Sequence, residues 1–538
     1  MTILAPQAPD FSRAVQNPQL IEAALALLDN RLHDAEPLLR AHLKRDPFDV
    51  AAIRMMAELA GRIGRFVDAE NLLRRALELA PGFTAARSNL ASLLYRQGRP
   101  TDAITELDKI LEYDPENLGL ANLKAAASGR IGDYDEAIAL YEIILKAQPT
   151  QEKIWMSFGH VLKTVGRVDD SVAAYRRALA LRPGFGEVWW SLANLKTATF
   201  TNADIDVMTR QANTGSISDE DRFHIEFAMG KALEDRAQWA ASFEHYSRAN
   251  AQRRAKLELD PESNAAQIER QASIISARFF ADHGEGGCSS DAPIFILGMP
   301  RAGSTLIEQI LASHSQIEGT QELSDIAMLS QQVAQGEGKY ADAMINLSPQ
   351  RRLQLGNEYL QRTEVHRKTG KLRFIDKMPN NWLHVAFIHL ILPNAKIIDA
   401  RRHPMDCGFS NFRQHFARGQ SFSYSLEDIG HYYKAYVGFM KRFDEALPGR
   451  IHRVVHEQLV DDIESEVRGM LTYLDLPFEQ NCLRFWENKR AVQTPSAEQV
   501  RRPINRDGAD RWMNYEEWLG PLTAALGAVL QAYPNVPD

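Results

Sequence analysis

The sequence predicts a multidomain chain: an N-terminal all-α repeat solenoid followed by an α/β domain with a mostly parallel sheet. Three observations carry this expectation. Prolines and glycines in the first half recur at a fixed spacing. The stretch "PIFILGMPRAGSTLIEQIL", Pro293 to Leu311, reads as apolar strand, glycine-containing turn and amphipathic helix. A second strand–helix–strand–helix pattern begins near Leu372 and gathers charged residues at its strand ends.

Pro47, Pro81, Pro115, Pro149 and Pro183 are each 34 residues apart, and so are Gly64, Gly98, Gly132 and Gly166. Asn30 falls one period before Gly64, and asparagine is the next-best residue for a left-handed turn. Between these marks run two amphipathic helices per unit. The glycine ends the first helix, small residues such as Ala69 and Ala103 let the second pack close, and the proline stops it. Two markers sharing one 34-residue period resemble the tetratricopeptide repeat. Five units run from about 17 to 186. A sixth begins at "EVWWSLANLK" and loses phase, with Phe200 in the glycine place and Ile217 in the proline place; a further unit is expected within Phe223 to Asn250. Stacked units bury their apolar faces against neighbours and form a solenoid with a concave groove, a surface for a partner, an acceptor or a second copy.

Composition sets the class. The 538 residues are 45% hydrophobic and 25% charged with a net charge of −8, a globular profile without the electrostatic footprint of a nucleic-acid binder. The cysteines, Cys288, Cys407 and Cys482, are few, distant and odd in number, which argues against a disulfide framework or a zinc cluster. The N-terminus "MTILAPQAPDFSRAVQ" lacks a basic segment followed by a long apolar run, and no apolar run is long enough to span a membrane. A cytoplasmic protein is expected. Ala281 to Pro293 is rich in Gly, Ser and Asp without periodicity, so the boundary is placed there. The division is 17–255 for the repeats, 256–290 for a helical connector and linker, and 291–538 for the α/β domain.

Gly298 to Thr305 spell G-M-P-R-A-G-S-T, the phosphate-loop pattern with Ser304 in the lysine position. A loop between strand and helix aims N–H groups and a positive dipole end at one point. Gly303 permits close approach, Ser304 and Thr305 add hydroxyls, and Arg301 adds a charged fork. An ordinary strand–helix turn with a capping serine is the alternative. Farther on, Leu372–Ile375 reads as a strand ending in Asp376-Lys377, "NNWLHVAFIHLIL" as a helix, and "AKIIDA" as a strand ending at Arg401-Arg402-His403, with Pro404 opening the next helix. Ligands of open α/β sheets bind at the carboxyl ends of strands. Residues 371 to 418 hold eight Lys/Arg against three Asp/Glu, a local basic excess in an acidic chain.

"PRAGST" after a strand, "DKMPNN" later, and "ARRHPMDCGFS" with serine eight residues after arginine closely resemble the sulfotransferases. Nearest are the tyrosylprotein sulfotransferases and bacterial proteins fusing tetratricopeptide repeats to a sulfotransferase domain. The resemblance covers about 290 to 538 and implies a phosphate-loop-like sulfotransferase fold. It implies transfer of a sulfuryl group from 3′-phosphoadenosine 5′-phosphosulfate to a hydroxyl or amine, without a metal; peptide tyrosine, a glycan and a small metabolite are open as acceptors. It assigns Arg301, Ala302, Gly303, Ser304 and Thr305 to the 5′-phosphosulfate, Arg402 and Ser410 to the 3′-phosphate, and Lys377 to the leaving oxygen. The family's further arginine, four residues after the serine, is here Gln414, with Arg413 beside it. Glu322 lies 21 residues after Arg301, matching the family's catalytic glutamate. His314, expected on a helix surface, and His403 are alternative bases, and Glu318 lies close by in sequence.

The resemblance also places "TPSAEQVRRPINRDGADRW" as a late loop closing over the nucleotide, with Arg502 and then Arg511 as contacts. His456 in "VVHEQLVDD" falls where the family has tyrosine, on the adenosine side. Every candidate anion contact follows Gly298, so the second half is expected to bind donor by itself. A repeat scaffold that binds a nucleotide without turnover is the competing class, and a kinase is disfavoured by Ser304.

Overall fold

A computed structural model describes residues 17–195, 198–257, 261–337, 340–416, 419–494, 496–506 and 508–537. The N-terminal stretch read for a leader and Arg418 of the basic count lie outside the described residues. Two packing units emerge, 1–161 and 162–538, in sequence numbering.

The first unit is a ladder of helical pairs: α1 (Pro18–Leu28), α2 (Leu32–Arg45), α3 (Val50–Arg62), α4 (Phe66–Leu79), α5 (Thr84–Arg96), α6 (Pro100–Leu111), α7 (Leu118–Arg130) and α8 (Tyr134–Ala147). Helix α9 (Glu152–Val165) contains the point of division. The turns are left-handed where the spacing requires, at Asn30 (φ 58°), Gly64 (82°), Gly98 (76°) and Gly132 (82°). Ala35, Ala69, Ala103 and Ala137, one per pair, are fully buried where the second helix meets its neighbours. Their small size is what lets the backbones approach.

The second unit continues with α10 (Val168–Leu181), α11 (Gly186–Ala193), α12 (Asn202–Asn213), α13 (Asp219–Glu234) and α14 (Trp239–Arg254). The α13–α14 turn is made by Ala237 at φ 56°. A non-glycine residue there explains why this pair showed no marker in the sequence. Connecting helices α15 (Pro261–Ser273) and α16 (Ala277–Asp282) lead to the sheet.

Five parallel strands follow: β1 (Pro293–Gly298), β2 (Ile317–Gly319), β3 (Arg373–Lys377), β4 (Lys396–Arg401) and β5 (Ile451–Val455), in the order β2-β3-β1-β4-β5. β1 is buried throughout, as a continuous apolar run in a central parallel strand requires. Strand order reverses at β1, the position where open α/β sheets form their binding crevice. Register fixes what gathers there. Ile296 pairs with Lys377, Gly298 with Ala400, and Arg401 with Val455, so the residues after each strand emerge on one edge. The expected helix after Lys377 is a short 3₁₀ turn, Pro379–His384, before an α-helix, Val385–Ile391. Among the described residues no helix is long and apolar enough to cross a membrane.

Candidate active site

The loop after β1 turns at Arg301 (φ 69°) and Gly303 (φ 96°) into helix α17 (Ser304–Ala312). Gly303 occupies the N-cap position and no side chain caps the helix, so the capping-serine alternative does not hold. The helix's first N–H groups have no partner a turn back and carry the positive end of its dipole. A side chain at Gly303 is excluded by space as well as φ: a Cβ there would lie 2.7 Å from His456 Nδ1. Cys407 Sγ and Asn411 Nδ2 both donate to Pro300 O, at 3.3 and 2.8 Å, and fix the loop from behind. Burial pushes the Cys407 thiol up to about 12, which suits a packing role and not a nucleophile.

A cavity of about 590 Å³ opens onto this loop. Its lining includes Arg301, Gly303, Ser304, Thr305 and Glu322 on one side, and Arg402, Ser410 and His456 on another. Arg502 and Arg511, from the late loop, line it as well. Ala302 does not: it is buried and its N–H donates to Met299 O at 3.2 Å within the turn.

Arg301 and Ser410 meet directly, Nε donating to Oγ at 3.2 Å, although the sequence reading assigned them to opposite ends of the donor. Burial first, then the like charges of Arg402 and Arg413, push the Arg301 guanidinium down to about 10. It stays charged at neutral pH beside these two like charges. Arg402 donates to Arg301 O at 3.3 Å and to Gly508 O at 2.5 Å, tying the two loops together. Its neighbour Arg401 points away, buried and bonded to Asp399 at 3.1 Å. Of the two arginines at this strand end, Arg402 alone faces the cavity. Arg402 Nε, Arg413 Nε, His403 Nδ1 and His456 Nδ1 are buried without a hydrogen-bond partner. An anion with several acceptor oxygens fits such a surface, because uncompensated buried donors are costly.

Lys377, at the end of β3, is 1% exposed, and its ammonium pairs with the Glu322 carboxylate. Asp376, its neighbour in sequence, is not its partner. Asp376 accepts from the Tyr359 hydroxyl at 2.9 Å, and burial pushes its carboxyl well above the usual range. Glu322 is 42% exposed and holds the ion pair with Lys377. His314 is fully buried, contrary to the expected helix surface, with Nε2 3.0 Å from Pro477 O. Glu318 accepts backbone N–H groups from Lys368 and Thr369 and serves a turn. His403 lines the cavity, stacked on Trp512 with ring centroids 5.9 Å apart.

The structure adds residues the sequence reading passed over. Ser496 Oγ accepts from Arg301 Nη1 at 3.0 Å, and Thr494 Oγ1 lies 3.4 Å from Thr305 Oγ1. The late loop thus touches the anion loop through hydroxyls, where only its arginines stood out in sequence. Arg413 lines the cavity, while Gln414 turns away and donates to Asn194 Oδ1 at 3.3 Å. Glu234, at the end of α13, bonds Arg413 at 2.5 Å and Arg511 at 3.3 Å. Every residue lining the cavity follows Gly298, but two of its arginines are held by this residue before it.

One group of ligand-type side chains stands out among the described residues, His42, Asp46 and Asp49 in the first unit. Its atoms are already engaged. Asp49 Oδ1 caps α3 through Ala51 N and Ala52 N, Oδ2 lies 2.8 Å from His42 Nε2, and Asp46 accepts from Phe48 N. The cluster serves the turn between pairs.

Parts of the chain are similar to known proteins. Residues 293–480 match the sulfotransferase family. Residues 62–127 and 152–185 match the tetratricopeptide repeat. A protein of Aquifex aeolicus (strain VF5), described as uncharacterized, is 29% identical over 336 residues, 61% of this chain and 44% of its own length. The match thus spans less than half of that relative. Solved structures similar to part of the chain include MamA from AMB-1, at TM-score 0.28 and 23% identity, over 32% of this chain and 94% of that one. MamA 41-end from Desulfovibrio magneticus RS-1 has TM-score 0.29 and 14% identity, over 33% and 97%. The chain thus joins segments that match the tetratricopeptide repeat to a segment, 293–480, that matches the sulfotransferase family.

Proposed function

We propose that the protein transfers a sulfuryl group from 3′-phosphoadenosine 5′-phosphosulfate to a hydroxyl or amine. The observation that carries this reading is a single cavity bounded by two anion-suited surfaces, with the Glu322–Lys377 pair entering it through Glu322. Arg301, Gly303, Ser304 and Thr305 suit the 5′-phosphosulfate end. Arg402 and Ser410, with Arg413 beside them, suit the 3′-phosphate. His456 and Arg502 lie along the adenosine side.

The donor supplies a sulfuryl group that leaves a bridging oxygen. Lys377 hydrogen-bonds that oxygen as charge grows on it, so the pocket stabilises the transition state more than the ground state. Glu322 takes the proton of the acceptor as the new bond to sulfur forms. A serine in place of the phosphate-loop lysine fits a donor without a γ-phosphate. The functional parts are the repeats at 17–255, which bind the acceptor or a partner protein or form a homodimer, a connector at 256–290, and the transferase domain at 291–538. The compartment we assign is the cytoplasm.

Calorimetry tests the donor. Arg402→Ala should weaken adenosine 3′,5′-bisphosphate by about 1.5–3 kcal/mol, the worth of a charge-assisted bond, and adenosine 5′-phosphate far less. Equal weakening of both ligands removes the 3′-phosphate assignment. Transfer of labelled sulfuryl to a panel of acceptors tests the reaction. Turnover should persist in EDTA, and loss restored by Mg²⁺ would favour a kinase instead.

A further inference from the structure

The repeat-like helices preceding the sheet end in a carboxylate aimed at the back of the cavity. Glu234 is the last residue of α13, and its side chain is 5% exposed. One oxygen accepts from both Arg413 and Arg511, and the other accepts from the Tyr246 hydroxyl of α14 at 3.0 Å. Both arginines line the cavity. Burial works against the Glu234 carboxylate, but Arg413, Lys231 and Arg511 outweigh it and hold its pKa below the ordinary value.

The rest of this wall is equally committed. Asn250 Nδ2 donates to Phe412 O at 2.9 Å, one residue before Arg413. Ser242 Oγ lies 3.0 Å from Tyr515 Oη, four residues after Arg511. Phe243 of α14 stacks on Phe412 and on Trp518, with centroids 5.8 and 5.3 Å away. The two segments that supply Arg413 and Arg511 are thus held by contacts from the same helical pair, and both guanidinium groups are held by Glu234.

An arginine fork recognises an anion through fixed geometry, and a group that locks its orientation sets its selectivity. Arg413 has its outer nitrogen on Glu234 and its buried Nε without a partner. Its remaining donors are oriented by that bond. Arg511 is 44% exposed, and Glu234 pairs with it at this wall.

We infer that Glu234, a residue of the helical half, is a positioning residue that orients Arg413 and Arg511 for a phosphate group of the nucleotide, so that the last helical pair is part of the nucleotide pocket. This rests on the reading of the cavity as a nucleotide site. The first part of the test, on the full chain, is the ratio of affinities for adenosine 3′,5′-bisphosphate and adenosine 5′-phosphate, read by calorimetry. A wild-type ratio near one would sink the nucleotide reading itself. Given a large wild-type ratio, Glu234→Gln, which keeps the shape, should reduce it by about tenfold or more, as expected for losing one oriented charge-assisted contact. Tyr246→Phe, which removes the hydroxyl behind Glu234 and leaves the core packed, should reduce the same ratio by a smaller factor. Arg413→Ala combined with Glu234→Gln should lose less than the sum of the two single losses, since the part of the Glu234 effect that runs through Arg413 is shared and only the part through Arg511 remains. A merely structural wall would lower the melting temperature and leave the ratio untouched. Wild-type ratios in both Glu234→Gln and Tyr246→Phe, or additive losses in the double variant, would overturn the inference; if Glu234→Gln does not fold, the Tyr246→Phe ratio decides.

Discussion

The ammonium of Lys377 and the carboxylate of Glu322 are hydrogen-bonded to each other in the ligand-free chain. The proposed acid side and base side of the reaction are therefore partners before substrate arrives. Each holds the other's charge while Lys377 is otherwise sealed from water. Donor and acceptor must separate them, because Lys377 has to reach the leaving oxygen and Glu322 the acceptor proton.

Glu322→Gln follows from that relationship. Removing the base should lower turnover by about 10²–10⁴-fold, the usual contribution of a positioned proton acceptor. Acceptor affinity should change less than turnover, since proton removal is made in the transition state. The substitution also leaves a buried ammonium without its counter-charge. Glu322 is half-exposed, so the stability lost should stay below the about 3–5 kcal/mol seen for pairs buried on both sides. Nucleotide should bind at least as tightly as to the wild type and recover the lost melting temperature. Near-normal turnover on a weakly acidic alcohol would move the base elsewhere, with His403 the next residue to change.

The His456 imidazole gives a pH signature. Burial first, then the nearby positive Arg402, push it down to about 4 from an ordinary 6.5. Between those values the unfolded chain binds a proton that the folded chain refuses. Stability therefore rises with pH across this window and is lost as pH falls from about 6.5 toward 4. An anion on the adjacent loop offsets the repulsion from Arg402 and raises the proton affinity of His456. Binding of adenosine 3′,5′-bisphosphate near pH 5.5, about midway in the window, should take up protons. Calorimetry in buffers of different ionisation enthalpy reads this directly. His456→Gln should abolish the uptake, and an unchanged uptake in that variant would place the proton on another group.

Gly303 is required twice over. Its φ of 96° is a conformation that strains any side chain, at a cost of about 1–3 kcal/mol. Its missing Cβ also leaves room for His456. Gly303→Ala should lower the melting temperature and nearly abolish nucleotide binding. Adding His456→Ala should restore part of the binding but not the backbone cost, which separates the steric from the conformational contribution. Full recovery in the double variant would show that φ matters little here.

Much of this site was legible because it follows rules of local geometry. The 34-residue spacing located left-handed turns at Asn30 and Gly64 through Gly132, since only such residues relieve the strain of those positions. The strand–loop–helix pattern located Arg301 to Thr305, and the parallel register then brings Lys377 and Arg402 to the same edge. Contacts between distant segments left no periodic mark. Ala237 does a glycine's work, so the α13–α14 pair, expected within Phe223 to Asn250 from its apolar pattern, carries no glycine mark. Glu234 reads as one charge on an amphipathic helix until Arg413 and Arg511 are folded against it. His314 looks like a surface residue until the Pro477 segment covers it.

The sequence alone led to the expectation that the second half binds donor unaided, and the Glu234 contacts argue for a different outcome. A chain beginning at residue 291 lacks Glu234, Tyr246 and the Asn250 bond to Phe412 O. It also exposes Phe412 and Trp518, which Phe243 otherwise covers. Burying one such aromatic side chain contributes about 1.5–3 kcal/mol, so uncovering two is a large fraction of a marginal stability. The late loop loses a second support, because Val492 N donates to Thr164 O at 3.1 Å and Arg501 donates to the same carbonyl at 3.1 Å. That loop carries Thr494 and Ser496 to the anion loop. The fragment from 291 should therefore bind adenosine 3′,5′-bisphosphate far more weakly than the full chain, and lose its preference over adenosine 5′-phosphate. A chain beginning near Pro149, which keeps all of α9 and everything that touches the cavity, should bind both nucleotides as the full chain does. Calorimetry on the three chains decides it: full affinity and full preference in the fragment from 291 would mean that the helical contacts support the fold without shaping the pocket.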